Sequence, residues 1–397
     1  MKTLKTIFLA ICSVIVLGSC SDTENPGLSF SQQGLYFQWG GEPQTISYTT
    51  IDVTKVELNS ATEGWSATVD QSAQTITVTP PSYPGTDDKR DTMRDANLKF
   101  MITAPSGTTS YYTLNAYIVG DSIIAITAAG QYANSYVLTS PKSAYLFDVT
   151  KNGAGQPLSG VAGAKVLWQS SYGLIEHFYY NEDDGVVTFY VDAKTEVDDE
   201  DTYIKENGEY VMVDGNVLIA AVDASDNILW SWHLWLSKEV NNPLKDYSTY
   251  ANGVTFMNRN LGAYGNSNGA TDNTNLILDS YGLYYQWGRK DPFVRPYYHD
   301  CAGGDDEYLY NGQNSAAYLE FAERSSETGT VAYTIAHPTT FITNAACVDA
   351  ENGDGIGDWL STPDSSLWSG STKSLYDPCP YGWRVPTAED LSVLDLS

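Results

Sequence analysis

The sequence predicts a mainly β fold, in which two β-sandwiches are followed by an α+β domain. Two short segments, residues 74–79 and 98–103, alternate apolar and polar side chains in the manner of half-buried strands. The 397 residues include 29 Tyr and 10 Trp but 5 Met, and aromatic side chains pack well on pleated sheet faces. Turn-forming stretches rich in Pro and Gly, such as residues 80–85, separate the strand candidates.

Residues 1–19 have the features of an export signal. Lys2 and Lys5 precede an apolar run over residues 7–17 that is too short to span a bilayer as a helix. Residues 17–20 read Leu-Gly-Ser-Cys and resemble a bacterial lipobox, which predicts a lipoprotein signal peptide over 1–19 and attachment of palmitate-type acyl chains at Cys20. An ordinary secretory signal with an incidental cysteine is the alternative. Residues 20–27 are short and acidic and are expected to form a lipidated tether.

The charge balance excludes one class of partner. The chain carries 21 basic and 49 acidic residues, for a formal net charge of −28. A nucleic-acid-binding protein needs the opposite sign, because it must neutralise phosphates. The same balance disfavours adsorption to anionic lipid, so the acyl chains at Cys20 are the expected membrane attachment. No later segment is apolar over 18 residues, which predicts no second membrane element.

Residues 28–120 form the first predicted sandwich. Four features occur there in order: residues 28–50, an aromatic turn at 63–66, a strand pattern at 74–80 and a final strand at 111–119. This order resembles the BACON domain, an immunoglobulin-like β-sandwich family attached to carbohydrate-active proteins of the Bacteroidetes. The resemblance implies a spacer or a glycan-associated module. In Bacteroidetes lipoproteins, which the leader also resembles, acidic residues after the lipidated cysteine accompany export to the outer face of the outer membrane.

Residues 121–240 form the second predicted sandwich, also immunoglobulin-like. Its strand candidates are residues 185–191, 216–222 and 228–236. In the last of these, alternation assigns Trp230, Trp232, Leu234 and Leu236 to one face and Ser231, His233 and Trp235 to the other. A core strand is the favoured interpretation, and a tryptophan platform that stacks on sugars is the alternative.

Residues 241–397 form the third predicted domain. Four blocks occur in order at residues 253–263, 281–293, 337–342 and 376–387, and the last contains Gly-Trp-Arg-Val-Pro-Thr. Together they resemble the Fibrobacter succinogenes major paralogous domain of surface lipoproteins and fimbria-associated proteins. By analogy this implies a C-type-lectin-like α+β fold. Domains of that family continue well past the last block, so the resemblance also implies that this domain is incomplete.

Cysteines and acidic loops supply the candidate site residues. With Cys20 acylated, Cys301, Cys347 and Cys379 remain, and Cys347 with Cys379 is the first choice among three pairings. The acidic stretch 349–358 offers oxygen ligands for calcium, and its best candidates are Asp349, Asn352, Asp354 and Asp358. EF-hand spacing is absent, so a solvated acidic loop is the alternative. No other cofactor and no catalytic residue is predicted.

These features predict a cell-surface protein without catalytic activity, anchored in the outer membrane and facing the cell exterior. The expected role is that of an adhesin that binds a polysaccharide or a host glycoprotein. The sequence does not identify the ligand-binding residues. A structural or tip subunit of a fimbria-like assembly is the second hypothesis, and a polysaccharide-active enzyme is the remote third.

Overall fold

The computed structural model describes residues 25–32, 34–37, 41–82, 93–118, 122–127, 130–182, 185–196, 199–238, 244, 247–250, 253–266, 274–294, 309–343, 358–368, 370 and 372–394. The leader, Cys20 and the tether up to residue 24 lie outside these ranges. The predicted lipid attachment therefore stays a prediction.

The secondary structure falls into three groups. The first group is β1 (Gly27–Phe30), β2 (Gly34–Phe37), β3 (Gln44–Ile51), β4 (Lys55–Ser60), β5 (Ser66–Asp70), β6 (Thr75–Thr79), β7 (Asp95–Thr103) and β8 (Thr109–Ile118). The second group is β9 (Ser122–Ala125), β10 (Ser135–Leu138), β11 (Ser143–Asp148), β12 (Gly163–Gln169), β13 (Glu176–Asn181), β14 (Val186–Val191), β15 (Thr195–Glu196), β16 (Asp199–Tyr203), β17 (Lys205–Glu206), β18 (Glu209–Tyr210), β19 (Gly215–Val222) and β20 (Ile228–Leu236). The third group is β21 (Tyr247–Thr249), β22 (Thr255–Met257), α1 (Thr274–Asp279), β23 (Leu309–Tyr310), β24 (Ala316–Ala317), β25 (Glu320–Glu323), α2 (Val331–Ala336), β26 (Thr340–Thr343) and α3 (Ala388–Leu391).

The first group forms a sandwich of two four-stranded sheets. One sheet has the order β1–β3–β6–β5, and the other has the order β2–β8–β7–β4. The alternation predicted from the sequence is confirmed, because the apolar side chains of β6 and β7 are buried in the shared core: Ile76, Val78, Leu98, Phe100 and Ile102. Burial of these side chains is the main stabilising contribution to the sandwich.

The second group, joined by β23 and β24 of the third, forms two larger sheets that face each other, besides the two-stranded sheets β15–β16 and β17–β18. The larger has the order β10–β20–β19–β12–β23–β24, and the smaller has the order β11–β14–β13. Their shared core is aromatic: Phe147 of β11 contacts the ring of Trp232 of β20 edge-on, with 5.2 Å between the ring centroids. The mainly β class predicted from the sequence is confirmed. Within the described ranges, no helix has the length and apolar character needed to cross a membrane.

Strand β20 is buried on both faces. One face belongs to the core of the second sandwich and consists of Trp230, Trp232, Leu234 and Leu236. The side chains of the other face are at most 1% exposed and are Ser231, His233 and Trp235. The core-strand interpretation is confirmed. A sugar-stacking platform on this strand is excluded, because neither face reaches solvent.

The chain after residue 240 covers the second face of β20. The indole Nε1 of Trp235 donates to the carbonyl oxygen of Ala263 at 3.2 Å, and Nδ2 of Asn216 donates to the carbonyl oxygen of Gly262 at 3.0 Å. In addition, β23 and β24 extend the larger sheet beyond β12. The two sides of the predicted boundary at residue 240 therefore share one sheet and one buried layer.

The two sandwiches meet at a small aromatic contact. Tyr36 donates from its hydroxyl to the carbonyl oxygen of His177 at 2.5 Å. The rings of Tyr117 and His177 stack with 4.1 Å between their centroids. The first sandwich thus contacts the second through side chains of β2, β8 and β13.

Candidate functional site

A groove of about 1230 Å³ lies in the part of the chain that follows β20, and we call it the C-terminal groove. It is lined by the β21–β22 hairpin and by residues from three further stretches: 259–261, 281–285 and 378–394, together with Trp368. These stretches are far apart in sequence. Three of the four blocks that carry the resemblance to the paralogous domain contribute to the lining.

The wall formed by residues 281–285 is held against residue 261 by a close backbone approach. Leu283 donates its N–H to the carbonyl oxygen of Leu261 at 2.8 Å. Gly282 precedes Leu283, and a Cβ at this position would collide with the carbonyl oxygen of Leu261. Glycine is therefore required here because any side chain would push this wall away.

The wall formed by residues 378–394 ends in a capped helix. The side chain of Thr387 accepts from the N–H of Asp390, and the carboxylate of Asp390 accepts from the N–H of Thr387, which together form a capping box at the start of α3. Nη1 of Arg384 donates to Oδ2 of Asp390 at 2.6 Å. This bond holds the pKa of Asp390 well below its usual range. The two charges thus neutralise each other at the groove.

Several exposed aromatic rings line the groove. Tyr247, Tyr281 and Tyr284 are each about half exposed, at 52%, 49% and 52%. The ring of Tyr247 lies 6.0 Å from that of Trp383, measured between centroids. Exposure of apolar ring surface to water is unfavourable, so a cluster of partly exposed rings marks an interaction surface.

A second aromatic cluster adjoins the first through Trp368. The ring of Trp368 lines the groove and lies 6.4 Å from the ring of Tyr285. On its other side it contacts Trp287 edge-on at 5.3 Å. Trp287 does not line the groove itself, but it is 48% exposed. The aromatic surface therefore continues past the groove.

The block at residues 337–342 lies beneath this wall and anchors it. The guanidinium of Arg289 is buried and donates to the carbonyl oxygens of Thr340 at 2.7 Å and of His337 and Pro338 at 3.3 Å. Burial lowers the pKa of Arg289 to about 10. The group remains charged at neutral pH, and its carbonyl partners stabilise that charge.

A buried charge pair joins the wall formed by residues 281–285 to the second sandwich. Nζ of Lys290 lies 2.5 Å from Oδ1 of Asp291 and 2.5 Å from Oγ of Ser231, and Ser231 donates to Asp291 at 2.6 Å. Burial lowers the pKa of Lys290, and the carboxylate of Asp291 opposes that effect. Because Ser231 belongs to β20, this network fixes the groove wall onto the sheet.

Cys379, a predicted disulfide candidate, lies in the groove lining. Its thiol is buried, and it is free of a disulfide among the described residues. Cys347 and Cys301 lie outside the described ranges, so the proposed pairing stays a prediction. Burial, reinforced by the nearby carboxylate of Asp377, raises the pKa of Cys379 far above its usual value. A thiol in this environment is a poor nucleophile.

The calcium candidates are only partly described. Asp349, Asn352 and Asp354 lie outside the described residues, and Asp358 lies within them. Asp358 is engaged locally: its carboxylate accepts from the N–H of Leu360, and its carbonyl oxygen accepts from Arg324, both at 2.9 Å. Where the structure describes the chain, no three His, Cys, Asp or Glu side chains are grouped as metal ligands. Calcium binding stays a prediction.

Comparisons with known proteins leave the family open. No family model and no curated protein matches this chain. Partial likeness is found to the human desmocollin-1 ectodomain (13% identity, TM-score 0.18), to SporoSAG from Toxoplasma gondii (11%, 0.15) and to fibronectin(III)-like modules of Clostridium thermocellum CbhA (11%, 0.16). These matches cover 54%, 52% and 53% of this chain, and 40%, 96% and 93% of the respective structures. The chain thus spans two fifths of the desmocollin structure. TM-scores this low establish neither a shared fold nor a shared function.

Proposed function

We propose that this protein is a non-catalytic, lipid-anchored surface protein that binds a glycan in its C-terminal groove. The observation that carries the proposal is that the half-exposed rings of Tyr247, Tyr281 and Tyr284 line one groove of about 1230 Å³. Sugar rings present flat apolar C–H faces that stack on aromatic side chains, while their hydroxyl groups stay hydrated at the rim.

The distribution of exposed aromatic and apolar side chains supports the choice of this end of the molecule. Twelve large hydrophobic side chains are exposed among the described residues, and nine of them lie between residues 247 and 391. The two sandwiches contribute Ile51, Tyr111 and Tyr172. Isolated exposed apolar side chains are ordinary. Four of the nine line the groove together, and such a grouping marks a binding surface: Tyr247, Tyr281, Tyr284 and Leu391.

The charged groups of the groove support binding without hydrolysis. Glycosidases generally use two carboxyl groups that flank the scissile bond. Asp390 is the one carboxylate among the described lining residues. Its carboxylate accepts hydrogen bonds from Arg384 and from the N–H of Thr387, so it is ionised and stabilises the start of α3. The groove therefore suits a ligand that is held and released unchanged.

The surface location rests on the leader. The lipobox at residues 17–20 supports acylation of Cys20, and the formal net charge of −28 suits a solvated exterior. Residues 27–238 then hold the groove away from the membrane as a spacer. Labelling of intact cells with a membrane-impermeant biotin reagent tests the location, and protection of the protein in intact cells would oppose it.

A structural subunit is the second candidate function, and one observation favours it. The β21–β22 hairpin is a sheet of two strands, and both strands line the groove. A two-stranded sheet is marginal by itself and offers an edge to which an extended strand of a neighbouring subunit adds. This candidate predicts fibres on cells that express the protein. Monomeric protein on a fibre-free surface would remove it.

Glycan binding is tested with the acylated chain in detergent micelles on a glycan array. Replacement of Trp383 or Tyr247 by alanine is expected to weaken binding about 3- to 10-fold, the contribution of one aromatic stacking contact. Tyr111→Ala is the matched control, because Tyr111 is 51% exposed on the first sandwich. Equal losses in all three variants, or no glycan retained by the unaltered protein, would refute the proposal.

A further inference from the structure

The size of the C-terminal groove constrains its ligand. Sites for single small molecules enclose about 300–1,000 Å³. The groove measures about 1230 Å³, which exceeds that range. A single monosaccharide would leave most of the lining in contact with water. A segment of a longer chain fills it better.

The aromatic rings form two clusters from separate parts of the chain. One consists of Tyr247 in β21 and Trp383, whose rings are in contact. The other consists of Tyr285, Trp368 and Trp287, connected through the central ring of Trp368. Because Trp287 lies beyond the lining, a ligand that contacts it must extend out of the groove. Two clusters provide stacking positions for sugar units at different points along one chain.

The electrostatics disfavour a charged polymer. Three ionised side chains line the groove among the described residues, and two of them, Arg384 and Asp390, neutralise each other. The third, Arg259, is 8% exposed, and its Nε donates to Asn258 at 3.3 Å. The whole chain carries a formal net charge of −28, so its long-range field repels polyanions. The three lining charges, Arg259, Arg384 and Asp390, sum to +1 and disfavour a polycation within the groove. An uncharged ligand is repelled neither by the lining nor by the chain as a whole.

We infer that the ligand is a linear, uncharged polysaccharide, held at two stacking subsites, one at Tyr247 and Trp383 and one at Trp368 and Trp287. This inference rests on the proposed function and specifies its ligand class. The first subsite lies within the groove and acts on short and long oligosaccharides alike. The second continues past the groove and acts on longer chains.

The test is isothermal titration calorimetry of the full acylated chain with neutral β-1,4-linked gluco-, manno- and xylo-oligosaccharides of one to six units. At least one series is expected to show no measurable binding for the monosaccharide and a gain of about 10-fold or more in affinity between two and six units. An oligogalacturonate series of the same lengths is the acidic counterpart and is expected to bind at least 10-fold more weakly.

Variants separate the subsites. Trp287→Ala is expected to lower affinity for the six-unit chain about 3- to 10-fold and to leave the two-unit chain unchanged, whereas Trp383→Ala lowers both. Trp383→Phe keeps an aromatic ring and is expected to retain most binding. Tyr111→Ala is the surface control, and thermal unfolding verifies that each variant is folded.

Each result decides the inference. Affinity that does not depend on chain length refutes two subsites and leaves glycan binding intact. Tighter binding of oligogalacturonate refutes the uncharged class, again without touching the proposed function. Failure of all neutral series refutes the inference, and the glycan array then decides the proposed function separately. Equal sensitivity of two- and six-unit chains to Trp287→Ala would also overturn it.

Discussion

Removal of the buried carboxylate of Asp291 should detach the groove wall from the second sandwich. Asp291 and Lys290 are 2% and 3% exposed, and Lys290 also lies over the ring of Trp230, 4.7 Å from its centroid. In Asp291→Ala the ammonium keeps its bonds to Ser231 but loses its counter-charge. A buried charge left without its partner costs about 3–5 kcal/mol. Since a domain is stable by about 5–15 kcal/mol, the variant should lose at least about a fifth of that margin.

The double variant Lys290→Met/Asp291→Ala distinguishes the free-energy cost of an uncompensated buried charge from the loss of the packing contacts of Asp291. It removes both charges and leaves an apolar side chain beside Trp230, so stability should return to within about 1–2 kcal/mol of the unaltered protein. Glu57→Ala is the control, because Glu57 pairs with Lys55 at the surface. Loss of an exposed pair should cost less than about 1 kcal/mol.

Urea unfolding and hydrogen exchange of the β20 amides measure these effects together. Faster exchange in β20 is expected for Asp291→Ala, since the covering layer opens first. If the single variant stays within about 1 kcal/mol of the unaltered protein, or if the double variant is as unstable as the single, the network does not hold the wall and the reasoning is wrong.

Three further predictions concern pH and backbone. Burial raises the pKa of Asp214 to about 6, above its unfolded value of 3.8, so the stability that this residue contributes is present below pH 3.8 and is lost as pH rises through 6. Asp214→Asn should therefore raise the free energy of unfolding by up to about 3 kcal/mol at pH 8 but not at pH 3.5, and thermal unfolding at both pH values checks this. Burial lowers the pKa of His177, so the stability that this residue contributes above pH 6.5 is lost as pH falls through its folded pKa. Small-angle scattering should show the sandwiches separating at the acid pH where NMR titration finds His177 protonated, and an unchanged profile at that pH would contradict this. Gly282→Ala should weaken glycan binding by displacing the wall from the carbonyl oxygen of Leu261. Gly27→Ala, where the nearest atom to an added Cβ is 3.8 Å away, should leave binding unchanged in the same titration.

The strands of the first sandwich were predictable because their signal is local. Successive side chains of β7 point alternately to the core and to the solvent, so the two-residue period of residues 98–103 indicates directly which of them are buried. The apolar face of β20 was predictable for the same reason. Its second face was not, because Ser231 and His233 look solvent-exposed in sequence.

The covering layer on β20 leaves no sequence pattern. Asn216 and Trp235 are satisfied by the backbone carbonyl oxygens of Gly262 and Ala263, and a carbonyl is present at every residue. Irregular segments that use backbone groups in this way have no periodicity to detect. The groove was unpredictable for a related reason: its lining residues lie between positions 247 and 394, and only tertiary packing brings them together.

The attachment of the groove to β20 bears on how it binds. Flexible loops lose conformational freedom when they close on a ligand, and that loss reduces affinity. Here the wall next to Tyr284 and Tyr285 is fixed from below by Arg289, which bonds three carbonyl oxygens, and by Lys290, which is paired on the sheet. The rings are thus held before a ligand arrives. Changes in the buried network should therefore reduce glycan affinity even though no buried group touches the sugar.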